Sequence, residues 1–263
     1  MATSATVLHD LVMLYVNNET NGGEYGPLTE VAPGLTMAEA YAVQREAVDT
    51  LCAAGARRTG IKIAATNDGS QKMLGLDGPA YGELLDTMVI PNGASVSASR
   101  FANGRIECEL AFRLGRALDE PGVGPADVLA ATDAVLAAFE LVDLRNRGWT
   151  LGMAEVICYD GLAKHYVLAE SGVAPDAIDL VGQTATLRKG GEIVAQGDGT
   201  AVLGDPLAAM AWLANTLIEH GRPLQPGDIV LTGSMTPPQP MAPGDRFEAD
   251  FPGLGSVAVT ITE

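Results

Sequence analysis

Residues 105–114 read RIECELAFRL and alternate strictly. Ile106, Cys108, Leu110, Phe112 and Leu114 fall on one parity, and Glu107, Glu109, Ala111 and Arg113 on the other. A period of two is the signature of a strand, because successive side chains point to opposite faces of a sheet. Such a run commits the chain to a sheet with one face in a core. It also sets two carboxylates side by side on the second face, roughly 6.5 Å apart along the strand.

Carboxylates so placed repel and raise each other's pKa unless a cation sits between them. Oxygen ligands of this kind suit a hard divalent ion such as Mg²⁺ or Mn²⁺. Glu140, at the entry to the apolar run FELVDL (139–144), is a candidate third ligand. The same alternation also describes an antiparallel strand whose second face meets water, with Glu107 and Glu109 solvated beside Arg113. Lys62, between Ile61 and Ile63 in TGIKIAAT (59–66), poses the same choice between a polar interior and solvent.

Elsewhere the punctuation is local. Val7, Leu8, Leu11, Val12, Tyr15 and Val16 recur at helical spacing, and residues 17–35 read as a connection. Thr36 and Glu39 form a capping box for a second helix that Gly55 stops. Pro125 opens a helix with Val128, Ala131, Val135 and Phe139 on one side, running into a strand at 139–145. TATLRKGGEIVAQG (184–197) is a hairpin turning at Gly190-Gly191. Asp205 caps a helix that Pro206 begins and Gly221 ends. GDIVLTG (227–233) and GSVAVTIT (255–262) read as strands. Many strands with few helices, and no GxGxxG or P-loop, point to an α+β protein on a curled or closed sheet.

Apolar residues make up 47% of the 263, enough for a substantial core. No apolar run is read as long enough to span a membrane, and residues 1–4 lack a secretory pattern. Cys52, Cys108 and Cys158 form no CxxC pair, which fits a cytosolic protein with reduced thiols. The net charge of −17 argues against nucleic acid as a partner. An anionic substrate would then need local positive charge, from a lysine, an arginine or a bound ion. His9, His165 and His220 are isolated; Trp212 reads as a packing residue, and Trp149, close to the site stretch, as either a packing residue or a substrate contact.

GIKIAATNDGSQKMLGLDGPAYGELL (60–85), RIECELAF (105–112), FELVDLRNRGW (139–149), GDPLAAMAWLAN (204–215), GDIVLTGS (227–234) and GDRFEADFPGLGSVAVT (244–260) together resemble a known family. It is that of the 2-hydroxypentadienoate (2-keto-4-pentenoate) hydratases and 4-oxalocrotonate decarboxylases, in the fumarylacetoacetate hydrolase superfamily. The resemblance runs colinearly from about residue 57 to the end. It implies an α+β fold with a curled sheet or barrel core, residues 57–263 forming the catalytic domain and residues 1–56 a helical segment beside it.

The resemblance also implies a site. Glu107, Glu109 and Glu140 would hold Mg²⁺ or Mn²⁺, and Lys62 and Asp77 would be the catalytic lysine and aspartate. The implied reaction is metal-dependent addition of water to a 2-hydroxy-2,4-dienoate through an enolate. Decarboxylation of a 2-oxo acid, C–C hydrolysis of an acylpyruvate, and a non-catalytic partner subunit are the alternatives. A homo-oligomer, and a complex with a related pathway enzyme, are implied partners.

One stretch departs from the pattern. Where the family carries [VI]ADNAS, this chain has ICYDGLA (157–163), so Tyr159, Asp160 and Leu162 stand in place of Asp, Asn and Ser. These three and Ser234 are the candidate substrate-binding residues. The change predicts a reshaped pocket for a larger or less polar substrate, or a related reaction.

Overall fold

The alternating strand β4 (Gly104–Leu114) sits inside a seven-stranded sheet in the computed structural model, which describes residues 3–21, 26–74, 77–145 and 151–263. Its companions are β1 (Arg58–Ala64), β2 (Ala80–Leu85), β5 (Thr132–Asp143), β6 (Ala163–Leu168), β9 (Ile229–Leu231) and β10 (Gln239–Pro240). The order is β2-β1-β9-β4-β5-β6, with β10 paired to β4. A second sheet runs β3-β12-β11-β7-β8, from β3 (Ser95–Ser97), β7 (Thr184–Lys189), β8 (Glu192–Asp198), β11 (Arg246–Phe251) and β12 (Gly255–Thr262). The helices are α1 (Ala5–Asn21), α2 (Leu28–Val31), α3 (Met37–Ala53), α4 (Asp68–Leu74), α5 (Pro125–Ala131), α6 (Met153–Cys158) and α7 (Pro206–Glu219).

The large sheet curls until its two ends meet. Tyr166 on β6 bonds through its hydroxyl to Thr59 on β1 (2.9 Å), and its carbonyl accepts from Ile90 N just beyond β2 (2.9 Å). The two parities of β4 serve two cores. Ile106, Cys108, Leu110 and Phe112 pack with Leu187, Phe247 and Val257 of the second sheet and with Leu213 of α7. Ala111, on the parity of the glutamates, packs with Tyr15 of α1, Val43 of α3 and Val156 of α6. The glutamate face is therefore covered at Glu109 and Ala111, while Arg113 at its end is exposed. Burying each large aliphatic or aromatic side chain contributes roughly 1.5–3 kcal/mol, so both faces of β4 hold the sheet in place.

Local signals carry through. Thr36 Oγ1 accepts from Glu39 N (3.2 Å) while Glu39 Oε2 accepts from Thr36 N (2.9 Å), closing the capping box. Gly190 and Gly191 both take positive φ (58° and 90°), as a tight hairpin turn requires. Asp205 Oδ1 accepts from Leu207 N (2.8 Å) at the start of α7.

Three expectations need correction. The helix from Pro125 ends at Ala131, and Val135 and Phe139 belong to strand β5. Residues 134–143 of β5 are buried on both faces, so the run is apolar at every spacing and a helical period can be read into it. The 17–35 connection is shorter than expected, because α1 reaches Asn21 and α2 occupies Leu28–Val31. Gly199–Glu219 is long and apolar enough, by length and composition, to cross a membrane. Its α7 portion spans only 14 residues and buries Ala209, Met210, Leu213 and Leu217 in the core between the sheets.

Candidate metal centre

β4 and β5 pair antiparallel with Glu107 directly opposite Glu140 and Glu109 opposite Ala138. Two strands thus bring three carboxylates to one spot, and Glu107, Glu109 and Glu140 present oxygens that all lie within 4.8 Å of one another. Glu109 and Glu140 are fully buried, and Glu107 borders a cavity of about 560 Å³. Glu109 is oriented from β9's end: its Oε2 accepts from Gly233 N (2.8 Å). Gly233 takes φ 109°, and a Cβ there would run into Thr66, so the approach needs glycine.

The electrostatics are lopsided. Burial, then repulsion from Glu140, lifts Glu107 to about 7. Burial, then Glu140 and Glu107, drives Glu109 well above the usual carboxylate range. Burial also raises Glu140, against the opposing pull of Lys62. Lys62, 2% exposed, sets its Nζ 2.8 Å from Glu140 Oε2 and donates to Gly161 O (3.0 Å). Burial works against its charge, but Glu140, Glu107 and Glu109 together hold it above the usual lysine value. One lysine faces three carboxylates, so without a cation the cluster either holds excess negative charge or takes up protons, and the raised Glu107 and Glu109 express that cost. Glu109 Oε1 and Glu140 Oε1 are buried without a hydrogen-bond donor among the described residues.

These features fit a hard divalent cation. Octahedral coordination at about 2.1 Å puts ligand oxygens roughly 3–4.2 Å apart, within the spread of this cluster. A cation would also satisfy the two orphaned oxygens and the charge. The solvated alternative fails for Glu109, which is fully buried, and Glu107 is half-buried and faces the cavity.

The cavity beside the cluster is lined by Lys62, Thr66, Leu162, Ser234 and Pro237, among others. Its walls are mostly apolar, from Val142, Leu144, Val156 and Met235. Arg105, two residues before Glu107 on the same face, also lines it and was not anticipated. Its guanidinium donates to Asn103 Oδ1 (2.7 Å) and Gly104 O (2.9 Å). The period of two that selects Glu107 and Glu109 also selects Arg105, so the signal was present.

Leu162 and Ser234 line the cavity, and Ser234 Oγ donates to Thr236 O (2.7 Å). Tyr159 and Asp160 are not among its lining residues. Tyr159 donates to Gly26 O (2.8 Å), and Asp160 accepts from Glu83 N (2.7 Å) and Tyr15 Oη (3.2 Å). Asp77 is exposed just before β2 and does not line the cavity. Trp149 lies outside the described residues, and Trp212 packs half-buried against the core between the sheets.

A model of the fumarylacetoacetate hydrolase C-terminal domain matches residues 79–262. The chain belongs to the fumarylacetoacetate hydrolase family. Among members of that family, it is 36% identical over 239 residues to 2-hydroxyhexa-2,4-dienoate hydratase of Comamonas testosteroni, covering 90% of each chain. It is 31% identical over 242 residues to 4-oxalocrotonate decarboxylase of Pseudomonas putida, covering 92% of each. The structure of 4-oxalocrotonate decarboxylase from Pseudomonas putida G7, complexed with magnesium and adipate, superposes with a TM-score of 0.94. That match is 32% identical and covers 99% of both chains. Hydratase and decarboxylase alike are lyases, and the expected curled-sheet fold is the family's own.

Proposed function

We propose that this protein is a divalent-metal-dependent lyase that adds water to a 2-hydroxy-2,4-dienoate by way of its 2-oxo-enoate form. The observation that carries the reading is the buried Glu107–Glu109–Glu140 cluster with Lys62 held against it. Glu107, Glu109 and Glu140 would hold Mg²⁺ or Mn²⁺, and magnesium is what the superposed decarboxylase structure contains. When bound, the ion supplies a Lewis acid that favours negative charge on the substrate's 2-oxygen.

The chain's own residues do the rest. Lys62, kept cationic by its carboxylate neighbours, balances the substrate's carboxylate and the developing enolate charge. Arg105 adds positive charge to the same cavity, which explains how a chain of net charge −17 admits an anion. Ketonisation moves the enol proton to the terminal carbon. Water then adds its hydroxyl to the far alkene carbon and its proton to the neighbouring one. The family resemblance alone gives Asp77 a positioning or base role, since it lies exposed outside the cavity, and Leu162 and Ser234 form the substrate wall. The apolar lining favours a substrate with an apolar tail, and excluding bulk water from it strengthens every charge interaction inside.

Residues 57–263 carry the catalytic domain in this reading, with residues 1–56 as a helical segment packed on it. The three cysteines are free, in keeping with a cytosolic enzyme. We assign it to a homo-oligomer, with association to a related pathway enzyme as a further possibility to test.

A second reading is decarboxylation of a 2-oxo acid of the 4-oxalocrotonate type, favoured by the near-complete superposition on such an enzyme. C–C hydrolysis of an acylpyruvate would use the same enolate stabilisation, and a non-catalytic subunit has no use for the cluster. The deciding experiment mixes metal-stripped protein with 2-hydroxypenta-2,4-dienoate and follows the dienol absorbance with and without Mg²⁺ or Mn²⁺. Metal-dependent 4-hydroxy-2-oxopentanoate, lost in Glu109→Gln, supports hydration. Carbon dioxide release from 4-oxalocrotonate without hydration of the dienoate supports the second reading.

A further inference from the structure

We propose that Asp160 is a positioning residue. Together with Tyr15 of the N-terminal helix, it holds the 160–162 turn so that the Gly161 carbonyl fixes the ammonium of Lys62 inside the carboxylate site. The inference rests on Lys62 being a working group there.

The turn is not a conformation the backbone adopts unaided. Asp160, Gly161 and Leu162 all take positive φ (55°, 63° and 65°). The left-handed region costs roughly 1–2 kcal/mol for each non-glycine residue, so outside contacts must hold it. Asp160 is fully buried and supplies two of them. Its Oδ1 accepts from Glu83 N on β2 (2.7 Å), and its Oδ2 accepts from Tyr15 Oη on α1 (3.2 Å). β2 comes so close that a Cβ on Gly82 would overlap the Asp160 carbonyl.

The next residue delivers the consequence. The Gly161 carbonyl accepts from Lys62 Nζ at 3.0 Å, and a Cβ on Gly161 would press on the Lys62 side chain. Lys62 is thus gripped from two sides, by Gly161 O and by Glu140. The rest of the N-terminal segment braces the same stretch. Gln44 Nε2 of α3 donates to Ile157 O (3.0 Å) and Tyr81 O (2.9 Å), and Gly26 O receives the Tyr159 hydroxyl. The helices ahead of residue 57 therefore belong to the support of the site and are not an appendage. An asparagine at 160 keeps an oxygen for Glu83 N and an amide that Tyr15 Oη can accept from, whereas an alanine keeps neither.

The chain has four lysines, Lys62, Lys72, Lys164 and Lys189, which makes a spectroscopic test direct. Metal-free protein carrying ¹³C-labelled lysine gives a CεH₂ signal for each, and Lys62→Arg assigns that of Lys62. An immobilised Lys62 shows two resolved Hε resonances. Asp160→Ala is expected to shift that signal and merge the pair, Tyr15→Phe to move it the same way by less, and Asp160→Asn to restore it. Lys164 is the control, because it pairs with Glu19 of α1 (2.9 Å) and reports whether that helix stays docked. In turnover, Asp160→Ala is expected to lower kcat by up to about 100-fold with KM little changed, as a small misplacement of a catalytic group does. An unchanged Lys62 signal in a folded Asp160→Ala, or Lys62 and Lys164 moving together, would overturn the proposal. If Asp160→Ala does not fold, Tyr15→Phe decides by the same criterion. The spectra need neither metal nor substrate, so failure to turn over any dienoate would sink the proposed function and leave this inference standing.

Discussion

Glu107 and Glu140 are direct cross-strand partners, and both carboxylates turn toward Lys62. Like charges opposite one another in a ladder are destabilising by themselves. One buried lysine cannot offset three glutamates. Without a cation the candidate metal centre therefore keeps that repulsion or takes up protons, and several measurable outcomes follow from the imbalance.

Adding Mg²⁺ or Mn²⁺ to metal-stripped protein is expected to raise its Tm. At 100 times Kd the gain is about 2.7 kcal/mol, or roughly 5–10 °C for a chain of this size. Glu109→Gln removes a carboxyl that must take up a proton to be buried beside two others, so its metal-free form should melt higher than the wild type at neutral pH while the metal-induced shift disappears. Differential scanning calorimetry with and without EDTA distinguishes these. A wild type indifferent to both ions contradicts the metal assignment.

Removing the lysine tests the other side of the balance. Lys62→Met leaves Glu140 buried without its cation, and breaking such a pair costs about 3–5 kcal/mol. The loss should be largest in EDTA and smaller with Mn²⁺ present, because the ion takes over part of the neutralisation. Equal destabilisation under both conditions, by urea titration, would separate Lys62 from the metal cluster.

Asp160 sets a pH dependence of definite sign. Burial lifts it from its ordinary 3.8 to about 7. The folded state therefore keeps a proton that the unfolded chain has already released. The resulting stability is fully present below the ordinary carboxylate pKa and lost as pH rises through about 7. Asp160→Asn cannot titrate. Relative to it, the wild type should weaken between pH 4 and pH 7–8 by at most about 4 kcal/mol. Parallel curves of unfolding free energy against pH for the two proteins would refute the shift.

The apolar wall predicts substrate preference. With Leu162, Val156 and Met235 lining the cavity, kcat/KM should rise from 2-hydroxypenta-2,4-dienoate to its methylated and longer homologues. Each buried methylene is worth about 0.8 kcal/mol, roughly fourfold. Leu162→Ser should flatten the series. A series already flat in the wild type would remove the wall from the list of specificity determinants.

What the chain discloses in one dimension is uneven, for physical reasons. The glutamates of β4 are legible because alternation is local, and so are the capping box at Thr36 and the glycine turn at 190–191. The helical spacing over 125–139 misleads because a strand buried on both faces has no period to detect. Strand β2 and the 159–162 turn were passed over because their conformation depends on partners distant in sequence. Glu140 was found by its apolar neighbours, but its position opposite Glu107 is a matter of register between strands. Tyr159 and Asp160 drew attention as departures from a family pattern. Their side chains bond to Gly26, Tyr15 and Glu83, which no spacing along the chain reveals.

The Tyr15–Asp160 bond also has a timetable. Its two ends are separated by 145 residues. At a synthesis rate of about 5–20 residues per second, Tyr15 waits roughly 7–30 seconds for its partner. Lys62 waits longer still, because its strand pairs in parallel with β9, opposite Leu231. A growing chain thus displays all three glutamates well before β9 can join them. The centre therefore cannot close until the chain has been made as far as Gly233, whose amide holds Glu109.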